Sequence, residues 1–154
     1  MNLESIEFDA FVFNMRAAEK TQILQNLSWM IGRKTEADMT WLSEQLLLSE
    51  EKQNSAIGDG VAIAQVKSSP LTQPYVILAK LDRPVDFGAD DGQEVDLVCV
   101  LVSAQMDGPL HLQRLSRLTR MFRDKNLLET IRAAGSEREM ANLFREVRAA
   151  PIAA

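Results

Sequence analysis

The longest uninterrupted apolar run in the chain is residues 97–102, within a predicted strand at residues 95–102. A strand with one face in water alternates apolar and polar side chains, whereas a run that is apolar at both sets of alternate positions is typical of a central strand covered on both faces. Two further β-favouring runs occupy residues 61–66 and 75–81, and segments with helical periodicity flank the three runs. The chain is therefore predicted to form a layered α/β domain.

The first predicted helices precede the strands. Apolar residues recur at the spacing of one helix face over about residues 17–31, and Gly32 is expected to end that helix. Thr35 stands before an acidic stretch and is expected to cap a second helix. Trp29 and Trp41 fall within these two patterns and are predicted to serve packing rather than contact with a cofactor.

The last predicted helices follow the strands. The sequence Asp107-Gly108-Pro109 is typical of a helix start, because proline suits the first helical position. We expect this helix over about residues 110–124 and a short one around residues 127–131. Ser136 and Glu139 form a capping-box pattern for a final helix.

Composition bounds the class of protein. A chain of 154 residues is about one domain, assigned here to residues 1–148, and residues 149–154 are expected to be a frayed tail. The net charge of -5 disfavours a nucleic-acid partner. No apolar run approaches the roughly 20 residues of a membrane span, and acidic residues stand where a secretory signal would carry basic ones. We therefore expect a cytoplasmic protein without membrane insertion.

The single cysteine, Cys99, lies inside the central apolar run. No disulfide or cysteine cluster for zinc can form within the chain, and the thiol is expected to be buried and unreactive. No other metal-ligand constellation, Walker loop or nucleotide fingerprint occurs, since Gly58-Asp59-Gly60 alone is too weak a motif. The sequence therefore predicts neither a metal site nor a cofactor.

The stretch at residues 55–67 carries the most informative motif, Ser-Ala-Ile-Gly-Asp-Gly-Val-Ala-Ile-Ala-Gln-Val-Lys. Gly58 and Gly60 permit a turn that most residues avoid, and a strand pattern follows. The stretch resembles the signature of the type 2 IIA domains of the bacterial phosphotransferase system, Gly-Ser-Thr-Gly-Ile-Gly-x-Gly-Val-Ala-Ile-Pro-His, whose final histidine accepts a phosphoryl group. Other segments, among them His111-Leu-x-x-Leu115, extend the resemblance over nearly the whole chain. It implies a mixed central sheet flanked by helices on both faces and, for a free-standing domain, a nitrogen-regulatory IIA-like protein.

Two places depart from that family pattern. Gln65 stands at the phosphoacceptor histidine, and its amide nitrogen is not a useful nucleophile because its lone pair is delocalised. Ser49 and Glu50 stand where the family usually has Arg-Glu, so a bidentate partner for a phosphoryl group is missing as well. The resemblance thus implies a phosphorelay site that has lost its nucleophile and a phosphate clamp together.

His111 matches the second histidine of the family, and its helical position directs it toward the domain. Three roles remain open: a structural histidine hydrogen-bonded at a helix N-terminus, a substitute phosphoryl acceptor, or a remnant contact for a partner. Four arginines recur every third residue on the same helix and are expected to form a solvated face or a docking surface for an acidic partner. They are Arg114, Arg117, Arg120 and Arg123.

The leading prediction is a nitrogen-regulatory IIA-like protein that is not phosphorylated and acts as a regulatory protein-binding module. Its expected partner is an HPr-like carrier, or a regulated transporter or kinase, and the oligomeric state is left open. The predicted binding surface comprises Ser49, Glu50, Ser55, Gly58, Gly60, Gln65, Lys67 and His111. The alternative is a working phosphocarrier that accepts a phosphoryl group on His111 from an HPr-like donor. A third hypothesis is that the fold is reused for an unrelated role.

Overall fold

The computed structural model describes residues 7–149, with side chains described through residue 145. The strands are β1 (Ala10–Met15), β2 (Ala56–Gly58), β3 (Val61–Ser68), β4 (Tyr75–Val85) and β5 (Val95–Ala104). The helices are α1 (Lys20–Lys34), α2 (Met39–Lys52), α3 (Pro109–Met121), α4 (Lys125–Ala133) and α5 (Glu137–Ala149), with a 3-10 turn at Gln105–Asp107. Helix α5 includes the first residue of the segment predicted to be frayed, and residues 150–154 lie outside the described residues.

The described strands form one mixed sheet in the order β1-β4-β5-β3-β2. Strand β5 lies at its centre, as the apolar run predicts, and is antiparallel to β4 and parallel to β3. The parallel register places Gln65 beside Leu101 and Lys67 beside Ser103. The end of β5 therefore lies next to the second half of β3, where the candidate site is found.

Helices cover both faces of this sheet, which confirms the predicted α/β class with a mixed central sheet. On one face, α1 and α2 bury residues such as Leu27 and Leu42 against β3, β4 and β5. On the other face, α3, α4 and α5 cover the alternate side chains of the same strands. These side chains form a second core, to which Leu118 of α3 and Leu97 of β5 belong. Cys99 is fully buried there, and burial raises the pKa of its thiol far above the ordinary range, as expected for an unreactive thiol.

The junction between α1 and α2 differs from the prediction. Gly32 does not end α1 but lies inside it. A Cβ at this position would be only 2.1 Å from Cγ of Met39 at the start of α2. The absence of a side chain at Gly32 thus permits a close approach of the two helices. The cap of α2 is Asp38, whose carboxylate accepts hydrogen bonds from two backbone N–H groups, whereas Thr35 donates its hydroxyl to the carbonyl of Ile31 in α1.

Trp29 and Trp41, which were predicted to serve packing, do not belong to the buried core. Trp29 is 53% exposed on α1, with the guanidinium of Arg33 4.9 Å from its ring centroid, and Trp41 is exposed on α2. Both tryptophans lie in helices whose buried face is filled by smaller aliphatic residues. None of the helices within residues 7–149 is long and apolar enough to cross a membrane.

The turn between β2 and β3 requires the two glycines of the motif, Gly58 and Gly60. Gly58, Asp59 and Gly60 have φ angles of 104°, 56° and 79°, so the backbone takes a conformation that glycine adopts without steric cost. A Cβ on Gly60 would lie 2.7 Å from Nη2 of Arg132. Arg132 donates hydrogen bonds to the carbonyl of Asp59 and to both carboxylate oxygens of Asp96, which clamps the turn against α4 and β5.

Candidate functional site

The site is centred on Gln65, which lies in the middle of β3 and points toward α3. Its Oε1 accepts a hydrogen bond of 2.5 Å from Nε2 of His111, near the start of α3. The Gly108-Pro109 start of α3, with Gly108 at φ 55°, places His111 in the first turn, as the sequence predicts. The structure therefore brings together the two residues that the family resemblance assigned to the phosphorelay site.

Hydrogen bonding fixes the tautomer of His111. Because Nε2 donates its proton to Gln65, Nδ1 carries the lone pair and accepts a hydrogen bond of 2.7 Å from the hydroxyl of Ser103. The Ser103 oxygen in turn accepts a bond of 3.1 Å from Nη1 of Arg114. The same Nη1 lies 2.5 Å from Oδ2 of Asp107. We call these five residues the His111 network.

The network holds His111 in its neutral form. Burial is the main cause that lowers the pKa of His111 below its ordinary value, and the positive charges of Lys67 and Arg114 lower it further, partly opposed by Asp107. The pKa of Asp107 is lowered in turn, chiefly by its hydrogen bond from Arg114. At neutral pH the ring is thus an uncharged donor at Nε2 and an acceptor at Nδ1.

A cavity of about 180 Å³ lies next to Gln65 and is open to solvent. It is lined by four residues of the predicted binding surface, Ser49, Glu50, Ser55 and Gln65. Its apolar wall is formed by Leu46, Ile57, Ile63, Ala64 and Leu115. Among the described residues that line it, Glu50 alone is charged, and its Oε2 is paired with Nζ of Lys20 at 2.9 Å.

The other predicted surface residues lie apart from this cavity. Gly58 and Gly60 are in the clamped turn at the start of β3 and are not among its lining residues. Lys67 follows Gln65 on the same side of β3, close enough to His111 to affect its pKa. Within residues 7–149, no group of three His, Cys, Asp or Glu side chains is arranged to hold a metal ion.

Sequence reasoning missed three members of the His111 network, namely Ser103, Arg114 and Asp107. The expected solvated arginine face is wrong for Arg114, which is half-buried in the network, although Arg120 and Arg123 are exposed. The spacing of three residues between His111 and Arg114 places both on one side of α3, which is the signal that could have suggested their shared surroundings.

Comparison with known proteins identifies the family. The family model described as "Phosphoenolpyruvate-dependent sugar phosphotransferase system, EIIA 2" matches residues 5–147. A nitrogen regulatory protein of Bradyrhizobium diazoefficiens is 35% identical over 126 residues, which cover 82% of each chain.

Two solved structures show the same fold. The nitrogen regulatory protein IIA-Ntr from Neisseria meningitidis aligns with a TM-score of 0.82 at 23% identity, covering 92% of this chain and 94% of that one. The mannitol enzyme IIA of Escherichia coli, in a complex with its phosphorylated enzyme IIB, aligns with a TM-score of 0.71 at 17% identity, covering 92% and 97% of the two chains. On the evidence of the family match and the relative at 35% identity, the chain belongs to the type 2 EIIA family of the phosphotransferase system and is a nitrogen-regulatory IIA-like protein.

Proposed function

We propose that this IIA-like protein does not carry a phosphoryl group and acts as a regulatory protein-binding module held in the form of an unphosphorylated IIA domain. The observation that carries the proposal is the hydrogen bond of 2.5 Å between Oε1 of Gln65 and Nε2 of His111. Gln65 occupies the position that the family resemblance gives to the phosphoacceptor, and it engages the remaining histidine of the site.

Neither side chain offers a usable nucleophile. The amide nitrogen of Gln65 has no available lone pair. The lone pair of His111 is on Nδ1, where it accepts the hydroxyl of Ser103, and Ser103 is fully buried. A phosphoryl donor approaching from solvent would have to displace this hydroxyl, and the other ring nitrogen, Nε2, presents a proton to Gln65.

The electrostatics of the cavity also disfavour a phosphoryl group. No lysine or arginine is among the described residues that line it, and its charged group is the carboxylate of Glu50. Ser49 stands where the family resemblance places an arginine, while Arg114 is bound to Asp107 in the His111 network. A phosphate dianion would therefore meet a carboxylate that is already paired with Lys20, and it would lack the bidentate cationic partner that usually stabilises it.

The surface around His111 supports a role in protein binding. Three large apolar side chains within seven residues are exposed: Met106 at 93%, Leu112 at 67% and Leu110 at 48%. Clustered exposed apolar residues are typical of protein–protein contacts. Arg120 near the end of α3 and Arg123 in the turn after it are exposed, so an acidic partner surface would complement this one.

The proposed partner is a protein of the phosphotransferase system, such as an HPr-like carrier, or a regulated transporter or kinase. The mannitol enzyme IIA of Escherichia coli, which shares the fold, was determined in complex with another protein. Such partners would place the chain in the cytoplasm and require residues 1–148 to act as one domain, both of which belong to the proposal. Cell fractionation and limited proteolysis would check these two points.

The decisive experiment is intact-mass analysis after incubation with phosphoenolpyruvate, enzyme I and an HPr-like carrier, with a histidine-bearing IIA domain as positive control. We expect no phosphoryl adduct on this chain while the control is modified. A stoichiometric, acid-labile adduct that disappears in His111→Ala would instead establish the phosphocarrier alternative. A modified control is required in the same mixture, so that a lack of adduct cannot come from an inactive relay.

A further inference from the structure

Ser55 lines the cavity beside Gln65 and has a buried hydroxyl without a hydrogen-bond partner among the described residues. Its residue exposure is 8%. The backbone of Ser55 is fixed on both sides, since its N–H donates to Oε2 of Glu50 at 3.0 Å and its carbonyl accepts from the N–H of Ile63 at 2.9 Å. These backbone bonds leave the side chain free to rotate about χ1, so a ligand group in the cavity could draw the unpartnered hydroxyl into a hydrogen bond.

Two other groups of the cavity have free hydrogen-bonding capacity. Gln65 uses Oε1 for His111, which leaves its NH₂ group as a donor without a partner within residues 7–149. Glu50 uses Oε2 for Lys20 and for the backbone of Ser55, which leaves Oε1 as an acceptor. The cavity wall thus presents a donor at Gln65, an acceptor at Glu50 and a hydroxyl at Ser55 that can serve as either.

We infer that this cavity binds a primary carboxamide, carried by a free small molecule or by an Asn or Gln side chain. Its carbonyl oxygen would accept hydrogen bonds from the NH₂ of Gln65 and the hydroxyl of Ser55, and its NH₂ would donate to Oε1 of Glu50. Because Glu50 is already paired with Lys20, an anion or an ammonium at this wall would lack a counter-ion and would lose its hydration without compensation. A neutral group with both a donor and an acceptor fits this wall.

The size of the cavity agrees with a small ligand. Its volume of about 180 Å³ equals the liquid volume of roughly six water molecules. A molecule such as propionamide, with about five non-hydrogen atoms, would place its amide on the polar side and its ethyl group on the apolar wall, with an expected Kd of about 1–100 mM. The inference goes beyond the proposed function, because it concerns a ligand that binds without any carrier or phosphoryl donor.

The test is a titration of the ¹⁵N-labelled protein alone with propionamide, followed by two-dimensional NMR. We expect saturable shifts of the backbone N–H of Ser55 and the side-chain NH₂ of Gln65. Propionate and butanone, which lack the neutral NH₂ donor, and inorganic phosphate are the comparison probes and should bind at least about tenfold more weakly. N-acetylglutamine methylamide distinguishes the sources: its binding would indicate a partner's side chain, and its exclusion while propionamide binds would indicate a free small amide.

Ser55→Ala should weaken propionamide binding about three- to tenfold. Ser68→Ala is the matched control, because Ser68 at the end of β3 also has a buried hydroxyl without a described partner and does not line the cavity. Equal affinity in wild type and Ser55→Ala, equal binding of butanone, or no localised shift up to about 100 mM would overturn the inference. Since no phosphorelay component is present, none of these results bears on whether His111 is phosphorylated.

Discussion

Replacing the amide of Gln65 by a carboxylate should raise the pKa of His111. In the wild-type protein, Oε1 of Gln65 lies 2.5 Å from Nε2 of His111, and the histidine pKa is lowered by burial and by Lys67 and Arg114. Gln65→Glu keeps the acceptor atom and the approximate shape of the side chain but adds a negative charge. The protonated ring should then be stabilised by an ion pair that the wild-type protein lacks.

The magnitude follows from the distance between the two groups. A charge on the carboxylate would lie about 4 Å from the centre of charge of the imidazolium, which gives about 4 kcal/mol at an effective dielectric constant of about 20. This energy corresponds to roughly three pH units. Solvent at the open cavity and the cost of a second carboxylate near Glu50 reduce the effect, so we expect the pKa of His111 to rise by roughly one to three pH units.

The measurement is a ¹H NMR titration of the ring proton Hε1, which is unambiguous because the chain contains a single histidine. The control is Gln113→Glu, the same change at an exposed position of α3, which should move the pKa by less than about 0.5. Two results would refute the reasoning: a wild-type pKa at or above the ordinary 6.5, or a pKa in Gln65→Glu that stays within about 0.3 of the wild-type value.

Three further changes test other parts of the structure. The pKa of His111 is lower in the folded protein than in the unfolded chain, so the unfolded chain binds a proton at higher pH. The free energy of unfolding should therefore fall as the pH drops below about 6.5, by at most about 1.4 kcal/mol per pH unit. His111→Asn should remove this component, seen as a weaker pH dependence of the urea midpoint. Arg132→Ala, which leaves Asp96 without its donor, should cost about 1–3 kcal/mol in chemical denaturation, against less than about 0.5 for the exposed Arg138→Ala. Leu112→Glu should weaken binding to an HPr-like carrier at least about tenfold in calorimetry, whereas Trp29→Glu, on α1 and 53% exposed, should not; equal effects would contradict the docking surface.

The layered architecture could be predicted because it depends on local patterns. In the stretch at residues 95–102, neither set of alternate side chains faces solvent. Such a strand is buried on both faces when it lies at the centre of a sheet between two layers of helices. The Gly108-Pro109 helix start and the capping pattern of Ser136 with Glu139 are also local, and the structure shows both. In each case the residues that form the signal are the residues that make the contact.

The incorrect predictions concern contacts between segments. Gly32 has the sequence context of a helix end, but α1 continues through it. The glycine is needed there because Met39 fills the space that a side chain would occupy. Thr and Asp are both residue types that favour the N-cap position, so residue type alone does not choose between Thr35 and Asp38. The choice depends on where α2 starts, and it starts directly after Asp38. Trp29 fits the helical spacing of its neighbours, yet the core beneath α1 is already filled by aliphatic side chains.

The pair of Gln65 and His111 could be predicted only through the family resemblance, since 46 residues separate them. The remainder of the network lies on the connection from β5 to α3, where Ser103 and His111 are eight residues apart, and the register of β3 against β5 brings Gln65 alongside it. No pattern within residues 103–114 distinguishes a serine that bonds a histidine from one that faces solvent. Periodicity predicts which residues are buried, but not which polar atoms meet there.

The side chain of Gln65 separates two regions with opposite hydrogen-bonding states. On one side, both ring nitrogens of His111 and the hydroxyl of Ser103 have hydrogen-bond partners within the His111 network. On the other side, the NH₂ of Gln65 and the hydroxyl of Ser55 have no partner among the described residues. Binding energy is gained where polar groups are unpaired before the ligand arrives, so recognition should take place on the cavity side. Because one planar amide belongs to both regions, a ligand that reorients it would also change the hydrogen bond to His111, and the histidine resonance should report occupancy of the cavity.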